Sequence, residues 1–232
     1  MSHHANIVRL RAVATALAEL NERVVFVGGA TVSLYATDPA ATEVRPTDDI
    51  DVVVELVNYA EYGQTEERLW QLGFANDIES GVICRYRIQG LIVDVMPTNP
   101  AILGFSNRWY KEGVAQSISY AIGEQRIRLF PAPYFIATKL EAYKSFRHGR
   151  DPRLNSDFED IIYVFDNRNE LLNEINQSSE PLRSYLRVEL AKLNEMPSIE
   201  EGIYVHLERN TASQRMQRIL AIWREIIRTE NK

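Results

Sequence analysis

Residues 45 to 55 read Arg-Pro-Thr-Asp-Asp-Ile-Asp-Val-Val-Val-Glu, and no other stretch limits the fold so tightly. Val52-Val53-Val54 is β-branched, which suits a strand better than a helix. Side chains alternate along a strand, so Asp49 and Asp51 share one face and Ile50 takes the other. The pattern predicts a strand over roughly 49 to 55, with two carboxylates on one face roughly 7 Å apart at the backbone. Its apolar face demands a core beneath it. Phosphoryl-transfer enzymes hold a pair of divalent cations about 3.5–4 Å apart on such a base.

The chain can supply that core. It has 232 residues, 45% hydrophobic and 25% charged, enough for one large domain or two small ones. Cys84 is the single cysteine, so no internal disulfide can form, which agrees with a reducing compartment. The apolar runs are too short to cross a bilayer, and the first residues lack the pattern of a signal peptide. The expectation is a cytoplasmic protein with no membrane partner. The net charge of −6 argues against a broad nucleic-acid surface. A small patch that grips a nucleotide or one RNA end stays compatible with it.

Periodicity outlines the rest. Residues 6 to 20 carry apolar positions at helical spacing. Val24 to Val27 reads as a buried strand, ended by Gly28-Gly29, with a helix expected over 30 to 35 and a loop over 36 to 46. Residues 59 to 72 read as a helix with Leu69, Trp70 and Leu72 inward. Val82 to Ile88 and Leu91 to Met96 form a hairpin across Gln89-Gly90, and Asp94 lies inside its second strand. Ile127 to Phe130 is a further short strand. Beyond Pro131 the pattern is helical, over about 133 to 147, 157 to 168, 181 to 193 and 212 to 229. The expected fold class is α+β: a small mixed sheet flanked by helices in residues 1–130, followed by a helical bundle in residues 131–232.

Three features then stand together: Gly28-Gly29 between strand and helix, Asp49-Ile50-Asp51 opening a strand, and Asp94 between apolar neighbours on a later strand. An acid flanked by Ile92, Val93, Val95 and Met96 needs a partner or a metal. The combination resembles the nucleotidyltransferase fold of the polymerase-beta superfamily. The extended form Arg45-x-Thr47-x-Asp49-Ile50-Asp51 is similar, more particularly, to AbiEii/AbiGii-type nucleotidyltransferases, many of which are toxins of toxin–antitoxin or phage-defence pairs. Ala137-Thr138-Lys139-Leu140-Glu141-Ala142 and Ser156-Asp157-Phe158-Glu159-Asp160-Ile161 match that family's lysine and aspartate segments. The resemblance spans roughly residues 24 to 165, and the last sixty or so residues match nothing.

The resemblance implies an enzyme that transfers a nucleoside monophosphate from a nucleoside triphosphate to an acceptor hydroxyl and releases pyrophosphate. Asp49, Asp51 and Asp94 would hold two Mg²⁺ ions, with Mn²⁺ as a substitute. Gly28, Gly29, Thr31, Ser33, Arg45 and Thr47 would line the nucleotide, the glycines by letting backbone approach the phosphates. Lys139 would neutralise phosphate charge, and Asp157 would support catalysis. The implied acceptor is a tRNA end or another macromolecule, and a cognate antitoxin is an implied partner. Two other functions fit the residues: an aminoglycoside-type antibiotic nucleotidyltransferase, and a catalytically silent nucleotidyltransferase-fold binding module.

Several residues stay open between two roles. Lys139 is a phosphate ligand or a surface lysine. Asp157 and Asp160, three apart on one helix face, act in catalysis or pair with a basic side chain. Arg85 and Arg87 share a strand face and contact a nucleotide or pair across strands. Lys144, Arg147, Arg150 and Arg153 form an RNA-contacting stretch or a solvated loop. Residues 37 to 44 cover the nucleotide or form a passive loop. Asp48 reads as solvated. Trp109, Tyr110 and Trp223 read as core, and His148 has no assigned role.

Overall fold

The computed structural model describes residues 2–20, 23–145, 149 and 151–228. Arg147, His148 and Arg150, and the far ends of the helices expected to 147 and 229, lie outside them. The chain divides into two compact units, residues 1–33 with 43–131, and residues 34–42 with 132–232. The sequence reading placed a single cut after residue 130. The segment 34–42 groups instead with the helical unit.

The first unit is built on a seven-stranded mixed sheet in the order β3-β4-β5-β2-β1-β7-β6. Its strands are β1 (Val24–Val27), β2 (Asp49–Val54), β3 (Ala75–Asn76), β4 (Arg85–Ile88), β5 (Leu91–Pro97), β6 (Ile118–Ile122) and β7 (Gln125–Leu129). β1 lies antiparallel to β2, and β2 lies parallel to β5. β1 and β2 are central, and Val25, Phe26, Ile50, Val52 and Val53 are fully buried. The expected strand at Ile127 to Phe130 is the second arm of the β6–β7 hairpin. Its first arm, Ile118–Ile122, shows little alternation and is mostly exposed, so the sequence did not announce it.

Helix α1 (Ser2–Ala16) presents Leu10 and Val13, with Leu17 just past its end, as one buried stripe, and it packs on β2, β5 and β7. Helix α2 (Tyr59–Gln71) is capped by Asn58, whose side-chain oxygen accepts from the Glu61 N–H. α2 buries Thr65 and Leu69, but Trp70 is about half exposed, contrary to the inward orientation expected for it. One residue along a helix turns the side chain by about 100°. Trp70 thus leaves the face that Leu69 occupies, and its indole N–H donates to Asn76 Oδ1 at 2.7 Å. The β4–β5 hairpin turns at Gln89 and Gly90, both at positive φ (49° and 80°), the combination a two-residue turn of the primed kind requires. Short helices α3 (Pro100–Leu103) and α4 (Tyr110–Ala115) complete this unit. Trp109, at the start of α4, is core as expected.

Among its described residues the second unit is helical: α5 (Ala132–Lys144), α6 (Ser156–Asn167), α7 (Leu171–Gln177), α8 (Glu180–Asn194), α9 (Ile199–Val205) and α10 (Ala212–Arg228). α5 is its centre, buried from Ala132 through Leu140, and it packs on α6, α7 and α8. α10 turns Ile219, Leu220, Trp223 and Ile226 inward, and Trp223 meets Phe165 edge-on at 5.7 Å between ring centres. The segment 37–42 is fastened here. The Thr37 and Asp38 N–H groups donate to the Asn167 carbonyl at 2.8 and 3.0 Å, and Tyr163 O–H donates to the Thr42 carbonyl at 3.3 Å. These bonds make it a strap tied to the end of α6. α7 and α9, seven residues each, are too short to show a periodicity above their loops.

Candidate active site

The carboxylates meet because of strand register. Asp51 on β2 is the direct partner of Asp94 on β5, and Asp94 is the direct partner of Arg85 on β4. On the other side, Asp51 is paired with Val27 of β1. Partners across strands project to the same face. A single row therefore runs across four strands: Arg85, Asp94, Asp51, Val27. Asp49, two residues before Asp51, joins the same face. The opposite face of β2 carries Ile50, Val52 and Val54, all buried.

Gly28 follows Val27 and borders the row. It sits at φ +75°, and a Cβ there would stand 1.9 Å from Asp51 Oδ2 and 2.8 Å from Asp51 Cβ. Only glycine lets the Asp51 carboxylate lie against this backbone. Gly29 starts a 3₁₀ turn, Gly29–Tyr35, where an α-helix was expected. Thr31 is fully buried, and its hydroxyl donates to the Gly28 carbonyl at 2.9 Å, so it holds the turn. Ser33 Oγ is buried without a hydrogen-bond partner among the described residues.

The loop into β2 is clamped from α1. The buried Asn6 donates from Nδ2 to the Arg45 carbonyl at 3.1 Å, and its Oδ1 accepts the Thr47 N–H at 3.2 Å. Arg9 donates to the Thr47 carbonyl. Thr47 Oγ1 donates to the Asp49 carbonyl at 3.2 Å. Thr47 is thus a pin that sets where β2 begins, and with it the direction of both aspartates.

Arg85 is the cation of this face. Its Nε donates to Asp94 Oδ1 at 2.8 Å and its Nη2 to Asp94 Oδ2 at 2.8 Å, a fork-on-carboxylate geometry. The same Nη2 reaches Asp49 Oδ2 at 3.0 Å. The hydrogen bonds to Asp94 raise the Arg85 pKa above its ordinary value, against the opposing effect of burial. Of the two uses left open for Arg85, cross-strand pairing is the one found. Arg87, on the same strand, pairs with Asp77 at 2.9 Å. Asp94, the acid among apolar neighbours, has its partner in Arg85.

The donor set is all carboxylate oxygen, the hard ligand type Mg²⁺ takes. Its capacity is limited, however. Both Asp94 oxygens are on Arg85, and among the described residues no three His, Cys, Asp or Glu side chains are arranged to hold a metal. Asp49 and Asp51 would offer carboxylate oxygens to a divalent ion, and Asp94 would have to release Arg85 to join them.

Lys139 and Asp157 belong to the helical unit and form a cluster of their own. Asn155 caps α6, accepting the Asp157 and Phe158 N–H groups at 2.9 Å each. Asp157 and Asp160 then face α5 from successive positions of one helix face. Lys139 Nζ lies 2.9 Å from Asp157 Oδ1 and 2.7 Å from Asp160 Oδ2. Burial works against the Lys139 charge, and the two carboxylates more than offset it, so its pKa lies above the usual lysine value. Lys139 is a buried, doubly paired lysine and not a surface one. In the basic stretch, Lys144 pairs with Glu141 at 2.7 Å and Arg153 with Asp151 at 2.7 Å, so its described members are neutralised locally.

No protein-family model matches the chain, and no curated protein does. Among solved structures it is similar to an antigenic nucleotidyltransferase-like protein from Paracoccidioides brasiliensis. The TM-score is 0.53 and the identity 19%, over 88% of this chain and 94% of that one. The fold is nucleotidyltransferase-like. A supposed nucleotidyltransferase from H. pylori is a looser neighbour, at TM-score 0.49 and 11% identity, over 98% of this chain and 97% of that one. Within this nucleotidyltransferase-like fold, the row from Arg85 to Asp51 gathers charged side chains on one face of the sheet. Arg85 is what sequence reasoning underweighted. The signal was present, since Arg85 and Asp94 fall opposite each other once the hairpin turn is set at Gln89-Gly90.

Proposed function

We propose that the chain is a nucleotidyltransferase that moves a nucleoside monophosphate from a nucleoside triphosphate to an acceptor hydroxyl. The observation that carries this reading is the register pairing of Asp51 with Asp94, with Asp49 on the same face and the Gly28 backbone against Asp51. The acceptor oxygen attacks the α-phosphorus. The bond from that phosphorus to the β-phosphate bridging oxygen breaks, and pyrophosphate leaves with the electron pair. The hydroxyl proton passes to a carboxylate of the face or to water. Asp49 and Asp51 would hold Mg²⁺, which when bound neutralises triphosphate charge. Gly28 keeps the Asp51 carboxylate seated, Thr47 and Asn6 aim β2, and Arg85 balances Asp94.

Within that activity we favour a toxin-type enzyme with a macromolecular acceptor such as a tRNA end, checked in the cell by an antitoxin. The support is the segment Arg45-x-Thr47-x-Asp49-Ile50-Asp51. A small cationic acceptor of the aminoglycoside kind is the second reading, favoured by the local neutralisation of Lys144 and Arg153 and by the net charge of −6. The test is incubation with each α-³²P-labelled nucleoside triphosphate, Mg²⁺ and total bacterial RNA, beside Asp51→Asn. Label on small RNA only with the intact chain supports the first reading. Label on an added aminoglycoside alone supports the second. No label on any acceptor refutes transfer.

A further inference from the structure

We propose that the β6 edge of the sheet is a self-association surface, to which a second copy of this chain adds its own β6, antiparallel, about a two-fold axis at Tyr120. The inference concerns assembly and does not rest on the transfer reading.

The two edges of the sheet differ. β3, at one end of the strand order, is two residues long, and Asp77 follows it at once. Its Asn76 side chain is engaged by Trp70 and Glu66. A short edge beside a charge is how sheets avoid pairing with other chains. β6, at the other end, has none of these guards. It runs for five residues, mostly exposed and without proline. No charged residue stands between Glu112 and Glu124, in a chain that is 25% charged. Among the described residues no strand lies beyond it.

The hairpin register fixes which groups this edge presents. Ile122 pairs with Gln125 across the turn Gly123-Glu124, so the two exchange their backbone bonds. Bonded and non-bonded pairs alternate along an antiparallel ladder. Tyr120 and Ile118 therefore also turn their N–H and C=O groups toward β7. Ser119 and Ala121 turn theirs outward, a donor and an acceptor each, as a template for another strand.

The order of residues selects the partner. Ile118-Ser119-Tyr120-Ala121-Ile122 has the same sequence of sizes in both directions: large, small, aromatic, small, large. Turned about an axis at Tyr120, Ser119 of one copy meets Ala121 of the other. These are the residues with outward groups, so each outward N–H meets a carbonyl. Ile118 meets Ile122 of the second copy. Ile118 and Tyr120 share the sheet face of the buried Leu129 and Ile127, yet Ile118 is 44% exposed. The second copy would cover it. A one-residue slip would set the small residues against isoleucine and turn the two apolar faces apart. No side-chain charge is desolvated on β6, which suits two chains that each carry −6. A two-fold contact of this kind uses the same patch on both copies and closes as a dimer.

The experiment is sedimentation velocity of the full chain over a wide range of concentration. Ala121→Pro and Ser119→Lys are run beside it, each checked for folding by circular dichroism. Proline at 121 removes an outward donor that the hairpin does not use, a place where an edge strand tolerates it. Lysine at 119 sets a charge on the edge should the proline fail to fold. The expected result is a dimer for the intact chain, with a dissociation constant raised by about tenfold or more in both variants. Register is read by disulfide formation under a mild oxidant. The two copies of residue 120 would stand about 4.5 Å apart at Cα, within disulfide reach. Tyr120→Cys should therefore cross-link into a covalent dimer, and Ala75→Cys, on the other edge, should not. An intact chain that stays monomeric overturns the inference and leaves the edge to a strand of another protein. A dimer that both variants leave unchanged overturns it as well. Cross-linking at Ala75→Cys in place of Tyr120→Cys would assign association to β3 and refute it.

Discussion

The chain contains two ion clusters built from the same chemistry and put to different ends. On the sheet, three aspartates meet one arginine. In the helices, two aspartates meet one lysine. The sheet cluster is partly open, with the Arg85, Asp94 and Asp49 side chains 21%, 12% and 36% exposed. The helical cluster is closed, with Lys139, Asp157 and Asp160 at 10%, 7% and 2%. The first lies within reach of solvent. The second is shielded from it. An accessible charged face is open to a group from solution, whereas a buried ion cluster is closed to one. The contrast favours the sheet cluster as the candidate site, although both contain residues the sequence nominates for catalysis.

The contrast can be broken most sharply at Asp51. Asp51→Asn is expected to lower label transfer by about a thousandfold, equivalent to about 4 kcal/mol in the barrier, while the chain stays folded in a thermal melt. An unfolded variant would make Asp51 structural and erase the distinction. Lys139→Met tests the other cluster. It removes the lysine from two buried carboxylates and should cost about 3 kcal/mol of stability in a denaturant titration. If stability holds and transfer collapses, Lys139 acts on the phosphate as the family resemblance implies.

Gly28→Ala should cost about 2 kcal/mol, from the left-handed backbone and from the contact with Asp51. It should also weaken Mn²⁺ binding, since Asp51 must move. Unchanged binding would show that the carboxylate does not depend on this backbone. A subtler effect comes from pH. The folded-state pKa of Lys139 is raised, so its contribution to stability is fully present below the unfolded lysine value of about 10.4 and is lost as pH rises through the higher folded value. Unfolding followed from pH 7 to 11.5 should show no loss from this cluster until the alkaline end. An earlier decline that Lys139→Met removes would contradict the assignment. The smallest effect is expected at Trp70→Ala, below about 1 kcal/mol, against about 3 kcal/mol for Leu69→Ala one residue away. Thermal melts of the pair would check which of them is core.

Some of this was legible in the chain and some was not. β2 was legible because valines and alternating aspartates leave few other conformations for residues 49 to 54. The β4–β5 hairpin was legible because Gln89-Gly90 suits a tight turn between two apolar runs. Trp70 was misread because a cluster of large residues was counted as one face, when a single helical step had already turned it outward. β6 was missed because an edge strand with little burial shows no alternation. The strap at 37–42 was unreadable for another reason: its bonds go to the Asn167 carbonyl and the Tyr163 hydroxyl, more than a hundred residues away, and its own side of them is backbone that every residue possesses.

The sequence by itself determined that Asp49 and Asp51 share a strand face, that Asp94 needs a partner, and that Asp157 and Asp160 share a helix face. These follow from local periodicity, which depends only on neighbours along the chain. The partners were decided by tertiary structure alone. Parallel pairing of β2 with β5 put Asp51 beside Asp94, and helix packing brought Lys139 between two aspartates. Arg85 stood within nine residues of Asp94 all along, but its fork also reaches Asp49, thirty-six residues back. Register between distant strands is set by the packing of their buried faces, and a carboxylate's partner follows from that register.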